Sequence, residues 1–121
     1  MTVYIASRFL NKSGVKSLTA KLATAVPPIH CIQTWPDEVL GSDTKANALR
    51  DLQQIQEADT VLVWTDACEK TPGGMNFETG YAYALGKNII QVGPRVHIFL
   101  NLKDIKHYDS IQDFFRTLNW E

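Results

Sequence analysis

The segment TVLVWT at residues 60–65, followed by GGMNFETGYAYALGK at residues 73–87, decides the fold of this chain. The first run is short and apolar, as is typical of a strand buried on both faces of a parallel sheet. The second run opens with two glycines and ends at Gly86, where a left-handed residue commonly closes a helix. We therefore predict a buried strand and a helix over residues 75–85. In an open parallel sheet, the carboxyl end of such a strand and the start of the next helix border the ligand crevice.

Strands alternate with helices along the rest of the chain. Strand-like runs predict further strands over residues 2–6, 29–35 and 88–92, and a short edge strand over residues 105–108. Helical spacing predicts helices over residues 14–25, from 42 or 43 to 57, and over 110–118, with a short helical turn over 98–102. This alternation predicts a three-layer α/β fold, flavodoxin-like or Rossmann-like, with an open parallel sheet of about five strands and helices on both faces. The first and third strands are then adjacent, and the loops after them converge on the crevice.

Size and composition narrow the class of protein. A chain of 121 residues corresponds to one domain, spanning residues 1–121. The net charge of −1 argues against a nucleic-acid polymer as partner, because such binding needs a basic excess. Cys31 and Cys68 fit no metal spacing, and we expect free thiols. We also expect a cytoplasmic protein, because we see neither a membrane-length apolar run nor a signal-peptide pattern.

Glu78 is the first candidate for chemistry. We predict it in the first turn of the helix that follows the central strand, where the helix dipole favours a negative charge. That effect predicts a lowered pKa and an ionised carboxylate, as a nucleophile needs. The same position also suits a glutamate that only decorates a helix end. Gly80, two residues later, weakens the helix by about 1 kcal/mol relative to alanine, which predicts a close approach of the sheet or a ligand at that point.

Asp51 is the second candidate. The apolar stripe of its helix, formed by Ala48, Leu49, Leu52 and Ile55, puts Asp51 beside the buried face. A carboxyl group close to Glu78 would have a raised pKa and could act as a general acid. An ordinary solvated aspartate is the alternative. Two carboxylates facing a sugar carbon are the equipment of glycosyl chemistry.

Other residues lie at the predicted crevice and could contact a ligand. Tyr4, on the first strand, could stack on a ring or pack in the core. Asp66 follows the third strand, and Asp37 and Glu38 follow the second. Anion contacts could come from Arg8, Thr71 and the backbone amides of Gly73 and Gly74. Each of these could equally be a solvated loop residue.

Four segments together resemble a known family, the nucleoside 2-deoxyribosyltransferases, with their relatives the 2'-deoxynucleoside 5'-phosphate N-hydrolases. The run ETGYAYALGK at residues 78–87, preceded by Gly74, is similar to the family signature. The run YIASRF at residues 4–9 resembles the opening strand and substrate loop. The runs DLQQIQEAD at residues 51–59 and NIIQVGP at residues 88–94 resemble the aspartate-bearing helix and the strand after the signature. The resemblance covers residues 3 to 94.

This resemblance implies an activity. Glu78 matches the family's nucleophilic glutamate, which would form a covalent 2-deoxyribosyl intermediate on cleaving an N-glycosidic bond. Asp51 matches the helix aspartate that handles the proton of the departing base, and Tyr4 lies near the substrate-contacting aromatic. The resemblance further implies a nucleoside or nucleotide as ligand, no metal, no organic cofactor, and a homodimer or higher homo-oligomer.

The chain also departs from the family pattern. Pro72 stands six residues before Glu78, where the transferases often have an aspartate and the hydrolases a serine. Asp66, Thr71 or Asn76 could instead contact the sugar hydroxyls. Ser7 and Arg8 replace a common Gly-Pro pair, which indicates either a nucleotide phosphate near Arg8 or a surface arginine. Two alternatives therefore stand beside the enzyme: a non-catalytic module that binds a nucleotide-derived ligand, and an NAD-type N-glycoside hydrolase.

Overall fold

Five parallel strands form one sheet in the computed structural model, which describes residues 1–38, 44–66 and 73–120. The strands are β1 (Thr2–Ala6), β2 (His30–Cys31), β3 (Thr60–Trp64), β4 (Asn88–Val92) and β5 (Ile105–Tyr108). The helices are α1 (Lys12–Leu22), α2 (Thr44–Glu57), α3 (Gly73–Ala84) and α4 (Ile111–Phe115). Short 3-10 turns lie at Phe9–Asn11, Trp35–Asp37 and Ile98–Asn101.

The sheet has the order β2-β1-β3-β4-β5. The predicted neighbours β1 and β3 pair with Val3 opposite Thr60 and Ala6 opposite Val63. The apolar residues of β1 and β3 up to Val63 are almost fully buried, because helices cover both faces of the sheet. The chain therefore has the predicted three-layer α/β fold of flavodoxin type.

Helices α2 and α3 set the position of the candidate site. The two helices pack on one another, and both contact β1. Of the predicted apolar stripe on α2, Ile55 is buried, but Leu49 is 59% exposed and Ala48 is also exposed. The expectation of a continuous buried stripe was therefore wrong, because α2 packs through its second half. The predicted start of this helix at Ser42 or Asp43 lies outside the described residues.

The second strand is much shorter than predicted. Instead of spanning residues 29–35, it ends at Cys31, although the amide of Ile32 still donates to the carbonyl oxygen of Val3 at 2.9 Å. Side chains then replace the ladder, since Ile5 donates its amide to Gln33 Oε1 at 3.0 Å and accepts from Trp35 Nε1 at 2.7 Å. The chain is thereby released from the sheet edge and turns over the end of β1.

Two helices also differ from prediction at their ends. Helix α1 spans Lys12–Leu22, so it begins two residues before and ends three residues before the predicted bounds of 14 and 25. Helix α4 is limited to Ile111–Phe115, and the Ser110 hydroxyl caps it by accepting from the amide of Asp113 at 3.2 Å.

Among the described residues, no helix is both long and apolar enough to cross a membrane.

Candidate active site

The buried Tyr4 side chain organises the candidate site. Tyr4 is fully buried on β1, and its hydroxyl donates a hydrogen bond to Glu78 Oε2 on α3. Burial is the largest cause of a strongly raised Tyr4 pKa, and the negative charge of Glu78 adds to it. The phenol therefore stays a neutral donor that orients the glutamate and leaves its second oxygen available.

Glu78 is not the lowered-pKa carboxylate that the sequence predicts. Helix α3 begins at Gly73, so Glu78 lies in its second turn, beyond the strongest part of the helix dipole. Burial raises the pKa of Glu78 to about 7, while the Tyr4 hydrogen bond acts in the opposite direction and the charge of Glu38 adds to the rise. Desolvation outweighs the dipole, because the side chain is bonded to Tyr4 of β1 and lies near Asp51 of α2.

Asp51 lies near the same carboxylate. Burial first, then a hydrogen bond and charge from Glu38, and then the charge of Glu78, raise the pKa of Asp51 to about 8, while Arg50 lowers it. The predicted direction agrees with this result, but the main carboxylate neighbour of Asp51 is Glu38 and not Glu78. A protonated aspartate beside a second carboxylate is the arrangement that general acid–base chemistry uses.

Glu38 belongs to the carboxylate cluster, whereas the sequence placed it only among the possible ligand contacts after the second strand. It follows the turn at Trp35–Asp37, and its Oε1 atom is buried without a donor among the described residues, as is Asp51 Oδ1. Its position after the second strand was a usable signal, since loops at the carboxyl ends of parallel strands meet at one edge. Its coupling to Asp51 could not be predicted, because that contact depends on how α2 packs beside the turn.

The loops after β1 and β3 meet as predicted. The Ser7 hydroxyl donates to the carbonyl oxygen of Trp64 at 2.8 Å and accepts from Asn11 Nδ2 at 3.1 Å. Arg8 Nε and Nη2 both lie 2.8 Å from Asp66 Oδ2. Three predicted ligand contacts are thus brought together, and a ligand anion at Arg8 would share the guanidinium with Asp66.

The remaining predicted contacts do not gather at Glu78. Thr71 lies outside the described residues, as do Pro72 and Cys68. Gly73 and Gly74 open α3 in exposed positions, and an added Cβ at either would meet no atom within 4 Å. Asn76 turns away, because two residues along a helix rotate a side chain by about 200°. Its Oδ1 lies 3.1 Å from His97 Nε2.

The other face of α3 borders an apolar groove. Its volume is about 780 Å³, and its lining includes Asn76, Gly80, Tyr83 and Phe99. A Cβ added at Gly80 would meet nothing within 4 Å, so of the two predicted alternatives the close approach of the sheet was wrong, and that of a ligand stays a prediction. The groove and the Glu78 cluster are therefore separate features of the same helix.

Comparison with known proteins identifies the fold. No protein-family model matches the chain, and no curated protein matches its sequence. Among solved structures, a 2-deoxyribosyltransferase from Bacillus psychrosaccharolyticus superposes with a TM-score of 0.69 at 20% identity, covering 100% of this chain and 98% of that one.

Two further structures agree. A 2-deoxyribosyltransferase from Leishmania mexicana has a TM-score of 0.69 at 15% identity, covering 96% and 95% of the two chains. A CMP N-glycosidase from Clostridium botulinum has a TM-score of 0.63 at 17% identity, covering 97% of each chain. This chain therefore has, over its whole length, the α/β fold of the 2-deoxyribosyltransferases.

Proposed function

We propose that this protein cleaves or transfers the base at the N-glycosidic bond of 2'-deoxynucleosides or their 5'-monophosphates, with Glu78 as nucleophile and Asp51 as general acid. The observation that carries the proposal is the hydrogen bond from buried Tyr4 to Glu78, with Asp51 near that carboxylate. One oriented nucleophile and one carboxyl group that retains its proton are what retaining glycosyl chemistry requires.

The reaction would proceed in two steps. In the first, a Glu78 oxygen bonds to the anomeric carbon while the bond to the base breaks. The electron pair goes to the base nitrogen, and Asp51 supplies the proton that makes the base a neutral leaving group. In the second, water or another base attacks the anomeric carbon, Asp51 takes a proton back, and the Glu78 carboxylate is released.

The named neighbours support both outcomes. Two are called 2-deoxyribosyltransferases and the third a CMP N-glycosidase, so one fold accommodates transfer to a base and cleavage of a nucleotide. The acceptor distinguishes the two reactions, because water gives cleavage and a second base gives transfer. A site that excludes water from the intermediate therefore favours transfer. Arg8 bears on the need for a 5'-phosphate, because a phosphate there would compete with Asp66 for the guanidinium.

The test is a chromatographic assay of the 2'-deoxynucleosides, their 5'-monophosphates, cytidine monophosphate and NAD, each with and without a second free base. Glu78→Gln should lose about 10³-fold or more in rate, because an amide cannot replace the carboxylate nucleophile. Glu57→Gln is the matched control, since Glu57 is an exposed glutamate at the end of α2. A Glu78→Gln protein as active as the wild type would refute the assignment.

A ligand-binding module without turnover is the second candidate. The raised pKa of Glu78 favours it, because a partly protonated carboxyl group is a weaker nucleophile but can both donate to and accept from sugar hydroxyls. Calorimetry with Glu78→Ala separates the two. Binding that is lost in a protein that never turned over any ligand supports the module. Binding that is kept while turnover disappears supports the enzyme.

A further inference from the structure

The segment 34–38, which carries Glu38, is hydrogen-bonded to helix α2, which carries Asp51. The Thr34 amide donates to Gln54 Oε1 at 3.2 Å, and Gln54 Nε2 donates back to Thr34 Oγ1 at 3.0 Å. Gln54 and Asp51 are three residues apart on α2, so they share one helix face. Glu38 follows directly, with its amide donating to the carbonyl oxygen of Trp35 at 3.0 Å. The two Thr34–Gln54 bonds therefore fix the start of the segment against α2, and the turn places Glu38 four residues later. There the Glu38 carboxyl group lies within hydrogen-bonding reach of Asp51.

Each of the two carboxyl groups has one buried oxygen without a hydrogen-bond donor in the part of the chain that the structure describes. Glu38 Oε1 and Asp51 Oδ1 are buried, and neither meets a donor among the described residues. Ionised carboxylates only accept hydrogen bonds, so two of them side by side cannot satisfy each other. One proton held between them makes one group a donor and the other an acceptor. The other charged or titratable groups that act on Asp51 are Glu78 and Arg50, and Tyr4 lies close by.

We propose that Glu38 is a positioning residue that retains a proton on Asp51, so that the pair works as a proton reservoir for the departing base. The catalytic meaning of this inference rests on the proposed function, whereas the proton linkage itself does not. As the glycosidic bond breaks, the proton moves from Asp51 to the base nitrogen, which also receives the electron pair. Glu38 and Asp51 are then adjacent carboxylates, and their repulsion favours taking a proton from the incoming water or base.

The first measurement uses the protein without substrate. Aspartate labelled with ¹³C at Cγ is titrated by NMR, and Asp51→Asn assigns the signal. We expect Asp51 to titrate well above the other aspartates in the wild type. In Glu38→Gln it should titrate lower by about one pH unit or more, because the amide donates to ionised Asp51. An ordinary Asp51 titration in the wild type overturns the inference without any variant.

The control is Asp37→Asn. Asp37 belongs to the same turn, but its carboxylate is exposed and pairs with Lys16 Nζ at 2.8 Å. It should leave the Asp51 titration unchanged. Glu38→Ala is a second variant that also removes the acceptor, so the inference can be tested if Glu38→Gln folds poorly. An Asp51 signal that neither Glu38 variant moves overturns it.

The second measurement is the pH dependence of kcat/KM. In Glu38→Gln the alkaline limb should move to lower pH, with about tenfold less activity at pH 8 for bases that need protonation and little change for a leaving group that does not. Turnover with an unmoved limb overturns the inference while the proposed function stands. A moved NMR titration without turnover of any substrate refutes the proposed function and leaves the proton linkage in place.

Discussion

At the scale of single residues, Tyr4 and Glu78 form a donor–acceptor pair whose strength governs the ionisation of the glutamate. Burial makes the carboxylate unfavourable, and the Tyr4 hydroxyl recovers part of that loss by donating to Glu78 Oε2. A hydrogen bond to a charged group contributes about 1.5–3 kcal/mol. Removing the hydroxyl therefore shifts the balance toward the protonated, non-nucleophilic form.

Tyr4→Phe should move the acidic limb of kcat/KM to higher pH. In the wild type that limb reports Glu78, whose pKa is about 7, because the rate rises as the nucleophile ionises. The variant should be roughly tenfold slower at pH 6, and the deficit should shrink at alkaline pH. Tyr83→Phe is the control, since the Tyr83 hydroxyl bonds to Asp104 at 3.2 Å beside the apolar groove. An unshifted limb in Tyr4→Phe would show that the hydroxyl does not support the carboxylate.

At the scale of elements, two glycines show opposite constraints. Gly93 follows β4 with φ of +102°, and an added Cβ would lie 2.3 Å from the carbonyl oxygen of Thr65 after β3. Gly80 lies inside α3, where an added Cβ would meet open space. The first glycine is required by the close approach of two strand ends, whereas the second only weakens its helix.

The same substitution should therefore act in opposite directions. Gly93→Ala should lower the free energy of unfolding by about 2–4 kcal/mol, from the backbone clash together with the positive φ. Gly80→Ala should raise it by about 0.5–1 kcal/mol, because alanine stabilises a helix interior. Urea unfolding of both variants measures this contrast. A destabilised Gly80→Ala protein would indicate that another chain or ligand approaches that face of α3.

At the scale of the whole molecule, the two partly buried carboxyl groups of the candidate site lower the free energy of unfolding at alkaline pH. Glu78 and Asp51 have folded-state pKa values of about 7 and about 8, above the ordinary values of 4.5 and 3.8. Between the ordinary and the folded values, the native state binds protons that the unfolded state releases. The free energy of unfolding therefore falls as pH rises through this window. The contribution is fully present below about pH 4 and is lost by about pH 8.

Glu78→Gln should flatten this dependence. The amide carries no charge to desolvate, so at pH 8 the variant should be more stable than the wild type by on the order of 2 kcal/mol, or roughly 8 °C in Tm. At pH 5 the two proteins should unfold at nearly the same temperature. Thermal unfolding across pH 5–8 checks this, with Glu57→Gln expected to follow the wild type. If Tm depended on pH in the same way in Glu78→Gln and the wild type, the folded-state pKa of Glu78 would not be raised.

Much of the fold could be read from local pattern. The predicted bounds of β1, β4 and β5 agree with the structure, because each is a short strand-like run between clear turn signals. The bounds of β2 could not be read this way. The hydrogen bonds between β1 and β2 end where the side chains of Gln33 and Trp35 bond to the backbone amide and carbonyl of Ile5. These contacts join residues 28 and 30 positions apart, so they form only once the chain has folded.

For the candidate site, the sequence by itself determined the residue types, their order along the chain and the convergence of the loops after the first and third strands with the start of the third helix, since these follow from local pattern and parallel topology. Tertiary structure decided the ionisation of Glu78 and Asp51 and the membership of Glu38 in the cluster. The physical reason is that desolvation and charge coupling depend on distances between α2, α3, β1 and the segment after β2, and no local pattern contains those distances.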